Sequence, residues 1–229
     1  MITISPRLVK RSVSAVIIAP LFLFLLLWNT WTFFAVLAVA FAIAAYEWVG
    51  LVRMAPYPQC ILIALLGIVY MPMAFYAFSD IRLAVFWEHP VGKTMMILLL
   101  LSVWASDIGG YTLGKILKGP KLWPTVSPNK TWAGLGGAAL FPLFILVPFG
   151  VANEGWRVLS PSSFIWLLGA AALVGLAGQA GDLMISAVKR MVGVKDTGAI
   201  IPGHGGLLDR IDALMMVSLV MFILARLAA

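Results

Sequence analysis

Charge is scarce in this chain. Only 11% of its 229 residues are Asp, Glu, Lys or Arg, whereas 62% are hydrophobic. Soluble domains carry roughly a quarter of their residues as charges, so a soluble fold is excluded, and no stretch reads as a separate soluble domain. Also missing are the ~10-residue segments of alternating polarity that a membrane β-barrel requires. Cysteine occurs once, as Cys60, which excludes an internal disulfide and a multi-cysteine metal site; at the start of an apolar run it reads as a small packed residue. Histidine occurs twice, as His89 and His204, too far apart to form a paired motif. There is no GxxxxGK[ST] phosphate loop, no repeat of 20–50 residues and no low-complexity tract.

What is abundant is continuous apolar sequence. Runs of about 18 or more residues cross the hydrocarbon core as helices, and the spacing predicts seven, over about 12–28, 31–52, 60–78, 94–114, 132–151, 163–185 and 211–228. The fold class is therefore all-α, a polytopic integral membrane protein. It is read as one membrane-embedded domain over 1–229, with N-terminal helices within 12–78 and a motif-bearing part over 94–229. The first run follows Arg7, Lys10 and Arg11 as a signal peptide would. It continues to Trp28 without a small-residue cleavage site, so an uncleaved first helix is expected.

The net charge of +7 would suit nucleic acid in a soluble protein; here it fits basic loops on the cytoplasmic face. With the N-terminus inside, Arg7, Lys10, Arg11, Arg53, Lys115, Lys118, Lys121, Lys130, Lys189, Arg190, Lys195 and Arg210 face the cytoplasm. Arg82, Lys93, Arg157 and Arg226 are left outside, a bias that supports seven spans. Trp28, Trp31, Trp48 and Trp156 fall near predicted span ends, as interfacial anchors do. Two long inner loops, about 115–131 and 186–210, are where chemistry can sit.

Ionisable groups within spans cost about 2.5–3.5 kcal/mol on insertion scales, so each needs a reason. Asp107, Tyr111 and Lys115 fall at i, i+4 and i+8, one polar stripe that must face the bundle interior. Gly109, Gly110 and Gly114 among them admit a close backbone or a ligand. The plainer alternative is an interior salt bridge with glycine-mediated packing. Asp182 is followed by Ser186, Lys189 and Arg190 on the same helical face. Asp209 and Asp212 open the last span, where a carboxylate also suits the helix N-terminus, though an N-terminal role for one of them leaves Asp182 unexplained.

Asp182 and Asp209 flank the 186–210 loop and are expected at the same membrane face. Carboxylates among lysines and arginines at a wet membrane edge invite a divalent cation, and oxygen-only ligands point to Mg²⁺ rather than zinc. The basic residues then imply an anionic substrate, most naturally a polyphosphate. Glycines in Pro202-Gly203-His204-Gly205-Gly206 can turn backbone N–H groups toward phosphate oxygens as a nest. In SPNKTWAG (127–134) Pro128 fixes a turn, Ser127 and Thr131 offer hydroxyls and Lys130 a point charge. That stretch reads equally as a capped helix start with a snorkelling lysine. Spacing alone carries the reading as far as Mg²⁺-dependent phosphate chemistry at the inner membrane face.

Taken together, Ser186, Lys189, Arg190, the run KDTGAIIPGHGGLLDRID (195–212), the Asp107/Tyr111/Gly114 element and Ser127–Trp132 resemble the phosphatidate cytidylyltransferase (CDP-diacylglycerol synthase) family. Glu47-Trp48 looks like a further family feature without an assigned role. The resemblance covers about 45–212. Two departures stand out: Ala133 occupies a position where the family usually carries an acidic residue, and many relatives are longer, with eight or nine spans, so that an N-terminal part would be missing here.

The resemblance implies transfer of a cytidylyl group from CTP to phosphatidate, giving CDP-diacylglycerol and pyrophosphate. It implies Asp182 and Asp209 as metal ligands, Asp107, Asp196 and Asp212 as further ligands or organisers, and a second cation such as K⁺ beside Mg²⁺. Lys130, Lys189, Arg190, Lys195 and Arg210 would hold the phosphates, with Ser127, Thr131, Ser186, Tyr111, Gly203, Gly205 and Gly206 around the substrates. His204 would orient a phosphate or shuttle a proton. The partners implied are CTP, phosphatidate, the bilayer of a bacterial inner membrane and a second copy in a homodimer. The rival readings are a CTP-dependent transferase acting on another lipid (an ether-lipid phosphate or a dolichol-type alcohol), an ion-coupled transporter, which would show paired broken helices, and a structural subunit.

Overall fold

A computed structural model describes residues 20–86, 89–154, 160–200 and 205–227. They are overwhelmingly helical. Residues 20–28 form α1, followed by α2 (Thr30–Met54), α3 (Gln59–Arg82), α4 (Gly92–Leu117), α5 (Trp132–Leu140), α6 (Leu143–Glu154), α7 (Pro161–Val192) and α8 (Leu208–Leu227). Two short antiparallel hairpins join them: β1 (Val85–Phe86) with β2 (His89–Pro90), and β3 (Lys121–Trp123) with β4 (Ser127–Thr131).

α2, α3, α4, α7 and the stretch Trp132–Asn153 are long and apolar enough to cross a membrane. At 25 residues α2 is roughly 37 Å long, more than the ~30 Å hydrocarbon core. The first expected span lies mostly outside the described residues. The last is a helix, α8, but it carries Asp209, Arg210 and Asp212 at one end and Arg226 at the other. The uncharged stretch between Asp212 and Arg226 spans only about 20 Å. Trp156 and the central part of the glycine-rich loop, residues 201–204 with Pro202, Gly203 and His204, are likewise outside the described residues.

Local chemistry sets the helix ends. Asn29 caps α2 in a reciprocal box: its Oδ1 accepts from the Thr32 N–H at 2.9 Å, and Thr32 Oγ1 accepts from the Asn29 N–H at 3.2 Å. Pro161 opens α7, where its missing N–H costs nothing. The expected span over 132–151 is broken at Phe141-Pro142, because a proline has no N–H for the carbonyl four residues back and its ring clashes there. α7 runs seven residues beyond the expected span end at 185, so Ser186, Lys189 and Arg190 are helical and the loop after them is shorter than the sequence suggested.

Close packing divides the chain into two compact units. One comprises the described residues up to Met71 with those between Met191 and Arg210, the other those from Pro72 to Arg190 with those from Ile211 onward. In the first unit Trp48 is buried and its indole N–H donates to the Ile63 carbonyl at 2.9 Å. It is a packing residue between α2 and α3 and not the interfacial anchor its position near a span end suggested. Trp28 and Trp31 are exposed, as anchors are.

In the second unit α4 packs on α5. Gly109 of α4 and Gly137 of α5 meet face to face, so that a Cβ on either would fall on the other's carbonyl, and one on Gly109 also on the Phe141 ring. Only glycine permits that approach. At the C-terminal end of α3, Asp80 Oδ1 accepts from Arg226 Nη2 at 2.8 Å, and the guanidinium lies over the Phe222 ring.

Two substitutions test the α4–α5 crossing. Gly109→Val forces a side chain against backbone and is expected to lower stability by about 1–3 kcal/mol or to prevent folding. Gly136→Ala, on α5 with open space around it, is expected to be neutral or slightly stabilising. Thermal unfolding of the detergent-solubilised protein distinguishes them; equal midpoints would refute the crossing.

Candidate active site

In the second unit a cavity of about 830 Å³ is lined by α4, the β3–β4 hairpin, α5 and α7. The stripe Asp107, Tyr111 and Lys115 lies along its α4 wall. Lys115 Nζ donates to the Tyr111 hydroxyl at 3.4 Å and sits 5.5 Å from the ring centroid. Asp107 is accessible through the cavity. Lys118 and Lys121 extend the cationic rim at a spacing of three from Lys115. Sequence reasoning counted these two only as loop charges, although the run KILKGPK carried the spacing.

The facing wall carries Lys130 and Asp182. Lys130 Nζ stands 2.7 Å from Asp182 Oδ2, and the ammonium is buried with no acceptor aligned for a hydrogen bond. The short distance makes this an ion pair even though its angle is poor for a hydrogen bond. The other carboxylate oxygen, Asp182 Oδ1, accepts from Ser186 Oγ at 3.1 Å, one helical turn along α7. The Lys130 side chain does not snorkel: strand β4 turns it inward. Beside it Thr131 caps α5, its Oγ1 accepting from the Gly134 N–H at 3.0 Å, so the hydroxyl has a structural task while it lines the cavity. Ser127 opens β4 opposite Trp123.

Two further aspartates belong to this neighbourhood. At Gly181 α7 lies directly against the Asp212 carbonyl of α8, and Asp182 interacts electrostatically with both Asp107 and Asp212. Lys189 is buried and close enough to Asp212 to oppose that repulsion. Arg190 reaches back to the hairpin, its Nε donating to the Val126 carbonyl at 3.3 Å. Asp107, Asp182 and Asp212 are oxygen donors of the kind Mg²⁺ prefers. Among the described residues, however, no group of three His, Cys, Asp or Glu is already gathered at metal-binding distance. The donor chemistry fits a hard cation; the pocket is not a preassembled cage.

The first unit holds the other half of the motif. Lys195, Asp196 and Arg210 are exposed. Asp209 Oδ2 accepts from the Thr197 N–H at 2.9 Å, from Thr197 Oγ1 at 3.1 Å and from the Gly206 N–H at 3.3 Å. That oxygen, and the Gly206 N–H which a phosphate nest would have used, are thus engaged inside the loop. Gly205 adopts φ +86°, a backbone region that favours glycine. Thr197, an unmarked position in the motif, was missed by sequence reasoning, which had no signal for it. Asp182 and Asp209 fall in separate units.

The model described as "Cytidylyltransferase family" matches residues 56–228. Similar curated proteins include the phosphatidate cytidylyltransferase of Bacillus subtilis (strain 168), 38% identical over 152 residues, 66% of this chain and 53% of that protein. That of Brucella suis biovar 1 (strain 1330) is 40% identical over 154 residues, 65% and 54%, and that of Staphylococcus aureus (strain COL) 38% identical over 154 residues, 67% and 54%. The chain spans about half the length of these curated relatives. With the family match extending over well more than half of its residues, the chain belongs to the cytidylyltransferase family.

Proposed function

We propose that this protein transfers the cytidylyl group of CTP to phosphatidate, releasing pyrophosphate and forming CDP-diacylglycerol. The observation that carries the reading is the buried Lys130 ammonium, paired with Asp182 but lacking an aligned acceptor, on the wall of a cavity rimmed by Lys115, Lys118 and Lys121. A buried ammonium gains most from charge-assisted hydrogen bonds to an anion, and four lysines around about 830 Å³ suit a polyphosphate rather than a single carboxylate. The names of the curated relatives supply the nucleotide and the lipid.

In the reaction a lipid phosphate oxygen forms a bond to the α-phosphorus of CTP as the bond to the pyrophosphate oxygen breaks. The nucleophile is already ionised, so no side chain need remove a proton; positioning and neutralisation of charge do the catalysis. Lys130 and the rim lysines hold phosphoryl oxygens, Asp182 orients the Lys130 ammonium, and Ser186 orients Asp182. Mg²⁺, held by Asp182 with Asp107 and Asp212 as further ligands, would neutralise the charge that develops on the phosphates. Asp209 and Asp196 keep the ligand roles suggested by the motif, and a second cation such as K⁺ remains part of the reading, both on sequence grounds alone. The charge bias of the loops supports a site at the cytoplasmic face of an inner membrane with the N-terminus inside, where CTP is available and phosphatidate would arrive laterally; a homodimer is the expected assembly.

Vesicles containing the full chain and phosphatidate are expected to form CDP-diacylglycerol from CTP with Mg²⁺ and to stop when EDTA is added. Product from another lipid acceptor, with none from phosphatidate, would overturn the acceptor assignment. Asp182→Asn and Asp209→Asn are expected to abolish turnover in protein that still inserts; full activity in both sinks the metal assignment. Lys130→Met removes one stabilising donor and should lower kcat/KM by about 10²–10³-fold, whereas Lys130→Arg retains part of it.

A further inference from the structure

Glu47, on the membrane-spanning helix α2, is buried at 2% exposure. A buried carboxylate must be compensated, and Glu47 is compensated by the motif loop. Its Oε1 accepts from the Leu207 N–H at 2.9 Å, and its Oε2 from the Leu208 N–H at 2.9 Å and from Thr197 Oγ1 at 3.0 Å. One side chain thus fastens both described ends of the loop, 195–200 and 205–208, to a rigid helix. It also satisfies two of the N–H groups that the start of α8 leaves without intrahelical partners.

Thr197 links this contact to the aspartate. Its hydroxyl lies 3.0 Å from Glu47 Oε2 and 3.1 Å from Asp209 Oδ2, so one proton serves two carboxylates. The fit leaves no spare room. A Cβ on Gly206 would meet the Thr197 hydroxyl and lie 2.7 Å from Glu47 Oε2, and one on Gly198 would lie 2.8 Å from Glu47 Oε1. These two motif glycines leave room for a carboxylate some 150 positions away in the sequence.

We propose that Glu47 is a positioning residue whose carboxylate, relayed by Thr197, clamps the motif loop so that Lys195, Asp196, Asp209 and Arg210 are held in place for the phosphate chemistry. It touches no reacting atom. The consequence for turnover rests on the function proposed above; the clamp itself does not.

Substitution in the detergent-solubilised chain tests both. In Glu47→Gln one carboxylate oxygen becomes an NH₂ group, which must face a backbone N–H whichever way the amide is turned. Amide hydrogen exchange at Leu207 and Leu208 is expected to accelerate about tenfold or more, while the amides of α4 and α5 keep their wild-type rates. With phosphatidate and CTP, KM for CTP should rise and kcat fall together by about 10–100-fold, as misplacement of groups remote from the chemistry does. Thr197→Val should behave in the same direction, and Thr197→Ser, which keeps the hydroxyl, should restore what the valine loses. Unchanged exchange at Leu207 and Leu208 in Glu47→Gln would overturn the clamp. Faster exchange with wild-type turnover would overturn the positioning role. A wild-type protein that turns over no phosphatidate would instead refute the proposed function, leaving the exchange rates to decide the clamp.

Discussion

Every carboxylate set among apolar helices must be compensated, because an isolated charge cannot be buried in a medium of low dielectric. The arrangement of this chain around its motifs follows from how each acid meets that requirement. Glu47 is compensated by neutral donors, two backbone N–H groups and a hydroxyl. Asp182 is compensated by an ammonium and a hydroxyl. The two solutions have different consequences. Backbone donors belong to chain segments, so an acid that binds them fixes the path of the chain. An ammonium on a long side chain can be re-partnered, so an acid that binds it leaves a site whose charge can be redistributed when an anion enters.

Each unit contains one of these solutions. In the second, the Gly109–Gly137 contact brings α4 and α5 together, and the capped start of α5 brings strand β4 with Lys130 to the cavity. The lysine is therefore delivered by a strand–helix junction, whose geometry is set by the Thr131 cap. Tolerance at that junction is small: the capping hydroxyl and the ammonium are on adjacent residues, so a shift of the cap moves the charge. In the first unit the described parts of the loop, 195–200 and 205–207, have little regular structure, and hydrogen bonds to α2 and within the loop define them.

The long apolar runs were legible as helices because continuous hydrophobicity over some twenty residues has few other outcomes. The break at Pro142 was not read, since a proline within an apolar run is tolerated in some membrane helices and ends others. The extension of α7 past residue 185 lies beyond the span drawn by hydropathy, because Ser186, Lys189 and Arg190 are polar, although their spacing from Asp182 already put them on one helical face. In the site, the stripe Asp107, Tyr111 and Lys115 was visible from i, i+4, i+8 spacing. Trp48 misled because tryptophan near a span end is usually interfacial, and only the Ile63 carbonyl shows where its indole goes. Thr197 could not be singled out at all: a hydroxyl between two carboxylates is a tertiary fact.

The glycine-rich run shows how a short signature can carry more than one constraint. Read as a sequence, its glycines suggest backbone exposed to phosphate. At Gly198 and Gly206 the immediate reason is different, since a Cβ would collide with Glu47 or Thr197. The signature is thus partly a record of its packing against α2, a helix whose sequence shows only one acidic residue among apolar ones. A loop whose charged side chains Lys195, Asp196 and Arg210 are exposed is not held by burying them. It has to be held by its backbone, and a carboxylate on a rigid helix is suited to hold backbone N–H groups. A lone acidic residue on a largely apolar helix is what that solution looks like in sequence.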